Sequence, residues 1–228
     1  MPTITFEDAD GLARGGAEYL AEQINAAPGP RVSVGLAGGS TPAAVYRELR
    51  KHELDWERVD FWLSDERWVP WDNSESNGKM AYANLIAAVR SPFLRPRFAP
   101  WLEPDESAAH YEAELRSRHP RDRSPDLVLL GMGDDGHTAS LFPDTAALTA
   151  EGRWFVGNEV PQLKTWRLTA TIPFLHRAAR LVFLISGASK AAMLARVANG
   201  DDLPTTRVAN GPAPTTFLID KAAAAGLP

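Results

Sequence analysis

The chain has 228 residues, with 24 Lys and Arg, 29 Asp and Glu, a formal net charge of −5 and no cysteine. This length can form one domain with its own core, and the lack of cysteine excludes a disulfide scaffold, a zinc finger and a thiol nucleophile. Because nucleic-acid surfaces neutralise phosphates with basic groups, the acidic balance argues against a nucleic-acid partner. No apolar run approaches the roughly 18 residues of a membrane span, so we expect a cytoplasmic protein without a membrane partner.

Short β-rich runs alternate with helical patterns along the whole chain. The predicted strands are residues 3–6, 31–36, 59–64, 126–130, 166–172, 180–186 and 215–219, and the predicted helices are residues 12–26, 42–51, 79–89, 106–118 and 190–198. This alternation predicts an α/β fold, a mostly parallel, Rossmann-like open sheet with helices on both faces. Without repeats or linker-like blocks, residues 1–228 are predicted to form a single domain.

Ligands of such sheets bind beyond the carboxyl ends of the strands, so we expect the chemistry in the loops that follow them. The first of these loops is Gly38-Gly39-Ser40-Thr41-Pro42. Its glycines let the backbone turn and approach a ligand, its Ser and Thr suit a helix cap, and its proline suits a first helical turn. The helix start would then form an anion site, unless the segment is only an ordinary strand-to-helix turn.

The second loop follows the predicted strand 59–64 and begins with Asp65-Glu66-Arg67. If the strand continues, Asp65 and Arg67 point to the same face because side chains alternate along a strand. The alternative is a surface ion pair, worth about 0–1 kcal/mol. Trp62, Trp68 and Trp71 lie nearby, and we expect them to anchor the loop to the core rather than to stack on a sugar.

The third loop, residues 131–143, contains G-x-G-x-x-G through Gly131, Gly133 and Gly136, the fingerprint of dinucleotide-binding oxidoreductases. We interpret this match as accidental. The fingerprint belongs to an opening βαβ unit, whereas this loop lies past the middle of the chain. Pro143 also leaves little room for the long helix that normally follows the fingerprint.

This third loop presents His137, the one histidine of five that lies in such a glycine-rich segment. An imidazole with an unperturbed pKa of about 6.5 is suited to take a proton from water, so we predict a general base. The alternatives are a structural histidine and a metal site formed with Asp134 and Asp135. The metal alternative is disfavoured because the three ligands lie within four residues and no further ligands support them.

The fourth loop follows the predicted strand 180–186 and carries Lys190 at the start of a helix. A cation is unfavourable at that end of the helix dipole, so it requires an anionic partner. With the first loop it would hold a phosphate; the alternative is a solvated lysine. The chain has neither a G-x-S-x-G elbow nor a G-x-x-x-x-G-K-[ST] phosphate loop, so water is the expected nucleophile.

Taken in order, these loops resemble the 6-phosphogluconolactonases, within a fold group that includes the glucosamine-6-phosphate deaminases. The resemblance runs from about residue 3 to residue 220. It is carried by Gly38 to Pro42, by Ser64-Asp65-Glu66-Arg67 with Ser76-Asn77, by residues 131–143 with their Gly-His-Thr-Ala-Ser-Leu-Phe-Pro segment, and by Pro161, Lys164 and Arg167-Leu168-Thr169 before the strand that leads to Lys190.

The resemblance implies hydrolysis of 6-phospho-D-glucono-1,5-lactone to 6-phosphogluconate in the oxidative pentose phosphate pathway, without a metal or organic cofactor. By the same resemblance, His137 is the base that activates water. Arg67 and Lys190 bind the substrate, Gly39, Ser40 and Thr41 line the site, Arg167 is a further cation, and Asp65 either contacts sugar hydroxyls or orients Arg67. The expected partner is this small sugar-phosphate lactone, and no oligomeric state is assigned.

The first alternative is a glucosamine-6-phosphate deaminase or isomerase, because such enzymes share the glycine turn, the aspartate and the Gly-His pair. They usually have an aromatic residue where this chain has Arg67, and a different sequence after Gly-His. The second alternative is a sugar-phosphate sensor, which would need the pocket but not His137. One departure from the lactonase pattern is His176, where that family leads us to expect asparagine.

Four arginines within residues 116–123 form a local basic segment. It lacks interleaved aromatic residues and contains a proline and an aspartate, so we predict a solvated loop and not a nucleic-acid contact.

Overall fold

The computed structural model describes residues 1–118 and 124–227. The strands are β1 (Thr3–Phe6), β2 (Val32–Leu36), β3 (Val59–Leu63), β4 (Asp65–Arg67), β5 (Phe93–Leu94), β6 (Leu127–Leu130), β7 (Phe155–Val160), β8 (Thr165–Ala170), β9 (Leu181–Ile185) and β10 (Thr215–Asp220). The helices are α1 (Ala9–Ala26), α2 (Ser40–Leu49), α3 (Asn77–Ala81), α4 (Ala87–Val89), α5 (Pro104–Arg118), α6 (Ile172–Leu175), α7 (Ala191–Ala198), α8 (Pro204–Ala209) and α9 (Lys221–Ala224). Short 3-10 turns lie at Trp56–Arg58, Ala146–Thr149, Pro161–Leu163 and Ala188–Lys190.

The larger sheet has seven strands in the order β1-β10-β9-β6-β2-β3-β5, and every pair in it is parallel. All residues of β2, β3, β6 and β9 are buried. Parallel strands that are covered on both faces have this composition, which is why the apolar runs of the sequence predict them well. The predicted α/β fold is confirmed.

Two apolar clusters lie on the two faces of this sheet. Leu129 of β6 belongs to the cluster that contains Leu20 of α1 and Val45 of α2. Its neighbour Leu130 belongs to the other cluster, with Tyr111 of α5 and further residues of α7 and α8. Since successive strand residues point to opposite faces, helices cover both faces of the sheet, as predicted.

A second, smaller sheet corrects one prediction. The predicted strand 166–172 forms β8 at Thr165–Ala170, and it lies in an antiparallel sheet of order β4-β8-β7 instead of the parallel one. The reason is the short turn Pro161–Leu163, followed by Lys164 at a φ of 50°, which joins β7 to β8. A connection this short can join two antiparallel strands but not two parallel ones, so β8 runs antiparallel to β7. The sequence did not predict β7.

Several helix boundaries also differ from the predictions. The predicted helix 79–89 starts earlier, at Asn77, because the side chain of Ser76 accepts a hydrogen bond from the N–H of Lys79. A π-helical turn at Tyr82–Ile86 interrupts it. The predicted helix 42–51 is α2, which begins and ends two residues earlier, and the predicted helix 190–198 begins one residue later. The short elements β5, α6, α8 and α9 were not predicted.

The basic segment 116–123 is in part helical. Arg116 and Arg118 belong to α5, where Arg116 pairs with Glu112 at 2.7 Å and its guanidinium lies 4.1 Å from the centre of the Trp154 ring. For these two residues the predicted loop is wrong because they belong to a helix, but both are exposed, in agreement with the predicted solvation. Arg121 and Arg123 lie outside the described residues. Across residues 1–118 and 124–227, no helix is long and apolar enough to cross a membrane.

Candidate active site

A cavity of about 330 Å³ lies where the loops after β2, β3, β6 and β9 meet. These strands are parallel, so their carboxyl ends share one edge of the sheet. The predicted site residues that line the cavity are Gly39, Ser40, Thr41, Asp65, Arg67, His137 and Lys190. His137 and Lys190 therefore share one cavity. Arg167 is not among the lining residues and lies one strand away, on β8.

The loop after β2 brings the start of α2 to the cavity. Gly39 has a φ of 109°, a conformation that residues with side chains rarely adopt, and it is the N-cap of the helix. In the described part of the chain no side chain caps α2, so the expected capping by Ser40 or Thr41 is wrong; both lie within its first turn. The uncapped N–H groups at this end of α2 are suited to an anion.

The chain leaves the larger sheet after Leu63 and enters the smaller one as β4, which carries Asp65 and Arg67 on the same face, as predicted. The two side chains bond elsewhere, so the ion-pair alternative is not supported. The buried carboxylate of Asp65 accepts a hydrogen bond of 2.7 Å from the hydroxyl of Ser140. The guanidinium of Arg67 donates to the carbonyl of Glu75 at 2.5 Å.

Glu66 has a structural role in the site that the sequence analysis missed. Its buried carboxylate accepts hydrogen bonds of 2.7 to 3.0 Å from the backbone N–H groups of Arg67, Asn77 and Gly78 and from the hydroxyl of Ser76. Burial raises the pKa of Glu66, and these hydrogen bonds oppose that rise. Glu66 thereby holds Asn77 at the cavity, where its side-chain amide donates to the carbonyl of Asp65 at 3.0 Å.

A carboxylate from the same loop orients the ring of His137. Its Nδ1 lies 2.5 Å from Oδ1 of Asp135, and the ring stacks on Phe142 at a centroid distance of 4.0 Å. Burial acts to raise the pKa of Asp135, but hydrogen bonds from the ring and the backbone N–H of His137 outweigh it and lower that pKa. Asp135 is therefore ionised at neutral pH. With Nδ1 engaged and the side chain 28% exposed, Nε2 is the ring nitrogen left for a ligand.

The acids next to His137 have separate partners. Asp134 pairs with Lys190 and Asp135 with His137, so these groups do not form a common ligand set. Among the described residues, no group of three or more His, Asp and Glu side chains is placed to hold a metal ion. That the chain needs no metal and no cofactor stays a prediction.

Gly133 in the third loop has a packing role, and the loop is not followed by the helix of a dinucleotide site. A Cβ atom on Gly133 would lie 2.1 Å from Cε1 and Nδ1 of His137, so any other residue there would displace the ring. After the loop, Thr138 pairs with Leu141 and a 3-10 turn follows at Ala146–Thr149, where the fingerprint requires a long helix. The lack of that helix supports the interpretation of the match as accidental.

The smaller sheet supports this loop from one side through Ser140. Beside the bond to Asp65, the N–H of Ser140 donates to the hydroxyl of Thr169 at 3.1 Å. Its carbonyl accepts a hydrogen bond of 2.9 Å from the amide of Asn158. All four residues are buried, and a fully satisfied buried network rigidifies its surroundings. From the other side, the hydroxyl of Thr205 donates to the carbonyl of Gly136 at 2.9 Å.

Lys190 ends a 3-10 turn and directly precedes α7. Its Nζ lies 2.6 Å from Oδ1 of Asp134, and its side chain is only 23% exposed. The alternative of a solvated lysine is therefore wrong, and the anionic partner that its position requires is a residue of the chain itself.

Asp220, which the sequence analysis missed, holds the loop before Lys190. It accepts hydrogen bonds from the hydroxyl of Ser186, from the N–H of Gly187 at 3.0 Å and from the N–H of Ala223 at 2.7 Å. Burial acts to raise the pKa of Asp220, but these bonds outweigh it and lower the pKa.

Arg167 lies directly opposite Arg67 in the pairing of β4 with β8. Burial lowers the pKa of the Arg167 guanidinium, and the charge of Arg67 lowers it further, while Asp65 and nearby glutamates act in the opposite direction. Like charges at directly opposed positions destabilise a sheet. An anion bound between them would relieve that repulsion.

The remaining features of the sequence have packing roles. His176, found where asparagine is expected, places Nε2 3.2 Å from the carbonyl of Arg207, and its ring fills the space beside Gly211. Trp62 is fully buried, and Trp68 packs against the same core. Trp71 makes an edge contact with the ring of Tyr82 at 5.9 Å. The expectation that the tryptophans anchor the loop to the core is supported for Trp62 and Trp68.

Comparison with known proteins decides the family. The sequence model described as glucosamine-6-phosphate isomerases/6-phosphogluconolactonase matches residues 7–217. The chain belongs to this family. A 6-phosphogluconolactonase of Rhizobium meliloti is 36% identical over 206 residues, which cover 86% of this chain and 88% of the relative. One from Mycobacterium tuberculosis is 34% identical over 239 aligned positions, covering 98% of this chain and 97% of the relative.

Solved structures agree with this assignment. The 6-phosphogluconolactonase of Thermotoga maritima superposes with a TM-score of 0.85 at 28% identity, covering 96% of this chain and 99% of that one. The 6-phosphogluconolactonase of Trypanosoma brucei gives a TM-score of 0.87 at 27% identity, covering 100% and 98%. The family resemblance that rests on the loop motifs is thus confirmed over nearly the whole chain.

Proposed function

We propose that this chain hydrolyses 6-phospho-D-glucono-1,5-lactone to 6-phosphogluconate, as a single 6-phosphogluconolactonase-like domain over residues 1–228 that acts in the cytoplasm in the oxidative pentose phosphate pathway. One observation carries the proposal. A histidine oriented by a carboxylate shares one cavity with cations and with the uncapped start of a helix. The names of the relatives, which are 6-phosphogluconolactonases, support the choice of substrate.

The phosphate of the substrate binds on the cationic side of the cavity. Lys190, the N–H groups at the start of α2 around Gly39, Ser40 and Thr41, and Arg167 are its proposed donors. Hydrogen bonds to charged groups contribute about 1.5–3 kcal/mol each, so two or three of them fix the sugar ring in position. This requires Arg167 to reach the ligand from its place beside the cavity wall.

His137 activates the attacking water. Nε2 takes a proton from the water as the water oxygen bonds to the lactone carbonyl carbon, and Asp135 stabilises the imidazolium that forms. The tetrahedral intermediate then expels the ring oxygen, which takes the proton back from His137 and becomes a hydroxyl. The product is a carboxylic acid that ionises, so each turnover releases one proton. A positioned base of this kind contributes roughly 10²–10⁴ in rate.

Arg67 stabilises the oxyanion that develops on the carbonyl oxygen. Its backbone is fixed through Glu66, and its guanidinium is positioned by the carbonyl of Glu75. Asp65 is held by Ser140 and faces the same cavity, where it accepts hydrogen bonds from sugar hydroxyls. A donor fixed before the reaction is effective because it does not have to reorganise as charge develops.

The second candidate is isomerisation and deamination of glucosamine 6-phosphate, because the description of the matching family names glucosamine-6-phosphate isomerases beside 6-phosphogluconolactonase. Arg67 argues against it, since it stands where the deaminases usually have an aromatic residue. A sensor without catalysis is the third candidate, and the carboxylate behind His137 argues against it because binding alone does not require an oriented base.

The test follows proton release with a pH indicator after freshly prepared 6-phosphogluconolactone is added, with spontaneous hydrolysis subtracted. Ammonia release from glucosamine 6-phosphate is measured in parallel, and unphosphorylated gluconolactone serves as the control for phosphate recognition. Enzyme-dependent acid release with a preference for the phosphorylated lactone supports the proposal. Ammonia release without acid release establishes the deaminase, and binding without either supports the sensor.

A further inference from the structure

Lys190, the cation proposed to bind the phosphate, is already in contact with the negatively charged side chain of Asp134. Both residues line the cavity, and their charged atoms are 2.6 Å apart. The side chain of Asp134 is 77% exposed, whereas that of Lys190 is 23% exposed. The carboxylate is therefore the more exposed partner of this pair, and it occupies a donor that an incoming anion could use.

The other acids of the site are held by groups that do not bind anions in the proposed reaction. Asp65 is bonded to the hydroxyl of Ser140, and Asp135 to the ring and the backbone N–H of His137. Glu66 is bonded to backbone N–H groups. Asp134 alone among these four acids is paired with a proposed phosphate-binding cation.

We propose that Asp134 is a specificity-determining residue that competes with the substrate phosphate for Lys190. The carboxylate takes one of the three N–H donors of Lys190, so a phosphate must displace it or bind beside it, and in either position its charge repels the dianion. Asp134 thus weakens the binding of every phosphorylated ligand, including the product, and favours product release. It does not weaken the binding of a ligand that leaves Lys190 untouched. This inference rests on the proposed function insofar as Lys190 binds the phosphate.

Removing the charge of Asp134 therefore strengthens phosphate binding. A partly exposed ion pair makes a modest contribution, and removal of the nearby negative charge adds to it, so we expect about a three- to tenfold change. The ratio of kcat/KM for 6-phosphogluconolactone to that for unphosphorylated gluconolactone should rise by a similar factor. A purely structural role would lower both values together and leave their ratio unchanged.

The experiment titrates the whole protein with inorganic phosphate in a calorimeter and compares wild type with Asp134→Asn and Asp134→Glu. We expect the dissociation constant to fall about three- to tenfold in Asp134→Asn and to stay within about twofold of wild type in Asp134→Glu, which keeps the charge. The matched control is Glu7→Gln. Glu7 forms an ion pair of 2.5 Å with Lys221, is 75% exposed like Asp134, and does not line the cavity.

Each outcome decides the inference. Tighter phosphate binding in Asp134→Asn alone supports it. Unchanged or weaker binding overturns it, since Asp134 would then position Lys190 without competing. Equal tightening in Glu7→Gln also overturns it, because the effect would be one of net charge. Phosphate titration does not depend on turnover. If Asp134→Asn binds phosphate more tightly while the wild type fails the lactonase assay, the proposed function is wrong and the inference about Asp134 still holds.

Discussion

The two sheets contribute to the site in different ways. The larger sheet is buried throughout its central strands and delivers loops, so the groups that it supplies are backbone amides at α2 and the side chains of His137 and Lys190. The smaller sheet is partly exposed and delivers side chains directly from one face, among them Asp65 and Arg67.

This difference shows how the site divides its tasks. Loops that follow parallel strands lie at the same edge of the sheet whatever their sequence. Each loop therefore needs only local hydrogen bonds and packing to hold its shape. Side chains on the smaller sheet are held through hydrogen bonds to another element, as Asp65 is held by Ser140. A change at a residue that holds a loop of the larger sheet therefore alters the geometry of the site, whereas a change in the smaller sheet removes or frees a charged group.

The largest expected effect is at His137, where loop and smaller sheet meet. His137→Ala should lower kcat by at least about a hundredfold, because the water loses its base, and leave the thermal unfolding transition nearly unchanged. The change in kcat is measured by proton release from 6-phosphogluconolactone. The matched control is His110→Ala, an exposed histidine of α5, which should keep full activity. Near-normal turnover by His137→Ala would remove this residue from the mechanism.

A methyl group tests the geometry of the same loop. Gly133→Ala should lower kcat about 10- to 100-fold, because the Cβ atom would collide with the His137 ring, and displacement of a catalytic group by about 1 Å can cost this much. Gly131→Ala adds the same methyl group where nothing lies within 4 Å. The two variants are compared by steady-state kinetics and by the NMR signals of the His137 imidazole. Equal effects of both substitutions would show that His137 does not depend on this close packing.

The loop that carries Lys190 predicts a pH-dependent loss of stability. Asp220→Asn should lower the free energy of unfolding at pH 7 by about 1–2 kcal/mol, because one acceptor for Ser186 and Gly187 is lost, and it should raise KM. The folded pKa of Asp220 is lowered, so its contribution is present above the unfolded value near 3.8 and is lost as pH falls through the folded pKa.

Urea unfolding at pH 7 and at a series of pH values below 3.8 measures this prediction, and the difference between wild type and Asp220→Asn should shrink as the pH falls. Asp8→Asn is the matched control, because Asp8 caps α1 in the same way but holds no loop of the site. A difference that stays constant with pH would show that the charge of Asp220 does not hold the loop.

The smallest expected effect is in the smaller sheet. Arg167→Gln should raise the free energy of unfolding by about 0.2–1 kcal/mol at low salt, because it removes the repulsion from Arg67, while KM for the phosphorylated lactone rises. Unfolding at low and high salt checks this, since salt screens the repulsion. Lys164→Gln, an exposed cation of the same hairpin, is the control. A loss of stability in Arg167→Gln would mean that the arginine pair is not strained.

The site could be predicted from the sequence where it depends on neighbours along the chain. His137 and Lys190 each follow an apolar strand, so their loops had to share one edge of the sheet. The roles of Glu66 and Asp220 could not be predicted. Asp220 bonds to Ser186, 34 residues away, and nothing in a local pattern indicates which of 29 acidic residues will find such a partner.

The placement of β8 is a second case of this kind. Residues 165–170 have the composition of a strand, and composition determines that a segment is extended but not which strand it pairs with. The short turn before β8 pairs it antiparallel with β7 and thereby decides its sheet. The pairing of Asp134 with Lys190 joins residues that are 56 positions apart and depends on the same assembled geometry.

By itself the sequence determined the class of fold, the edge of the sheet that carries the site and the histidine at its centre, because hydrophobic periodicity and glycine turns act over a few residues. The tertiary structure decided which partner each carboxylate binds. Asp135 binds His137, Asp65 binds Ser140 of the neighbouring loop, and Asp134 binds Lys190. The sequence does not distinguish one carboxylate from another in this respect, because each acquires its partner only when folding brings that partner within hydrogen-bond distance.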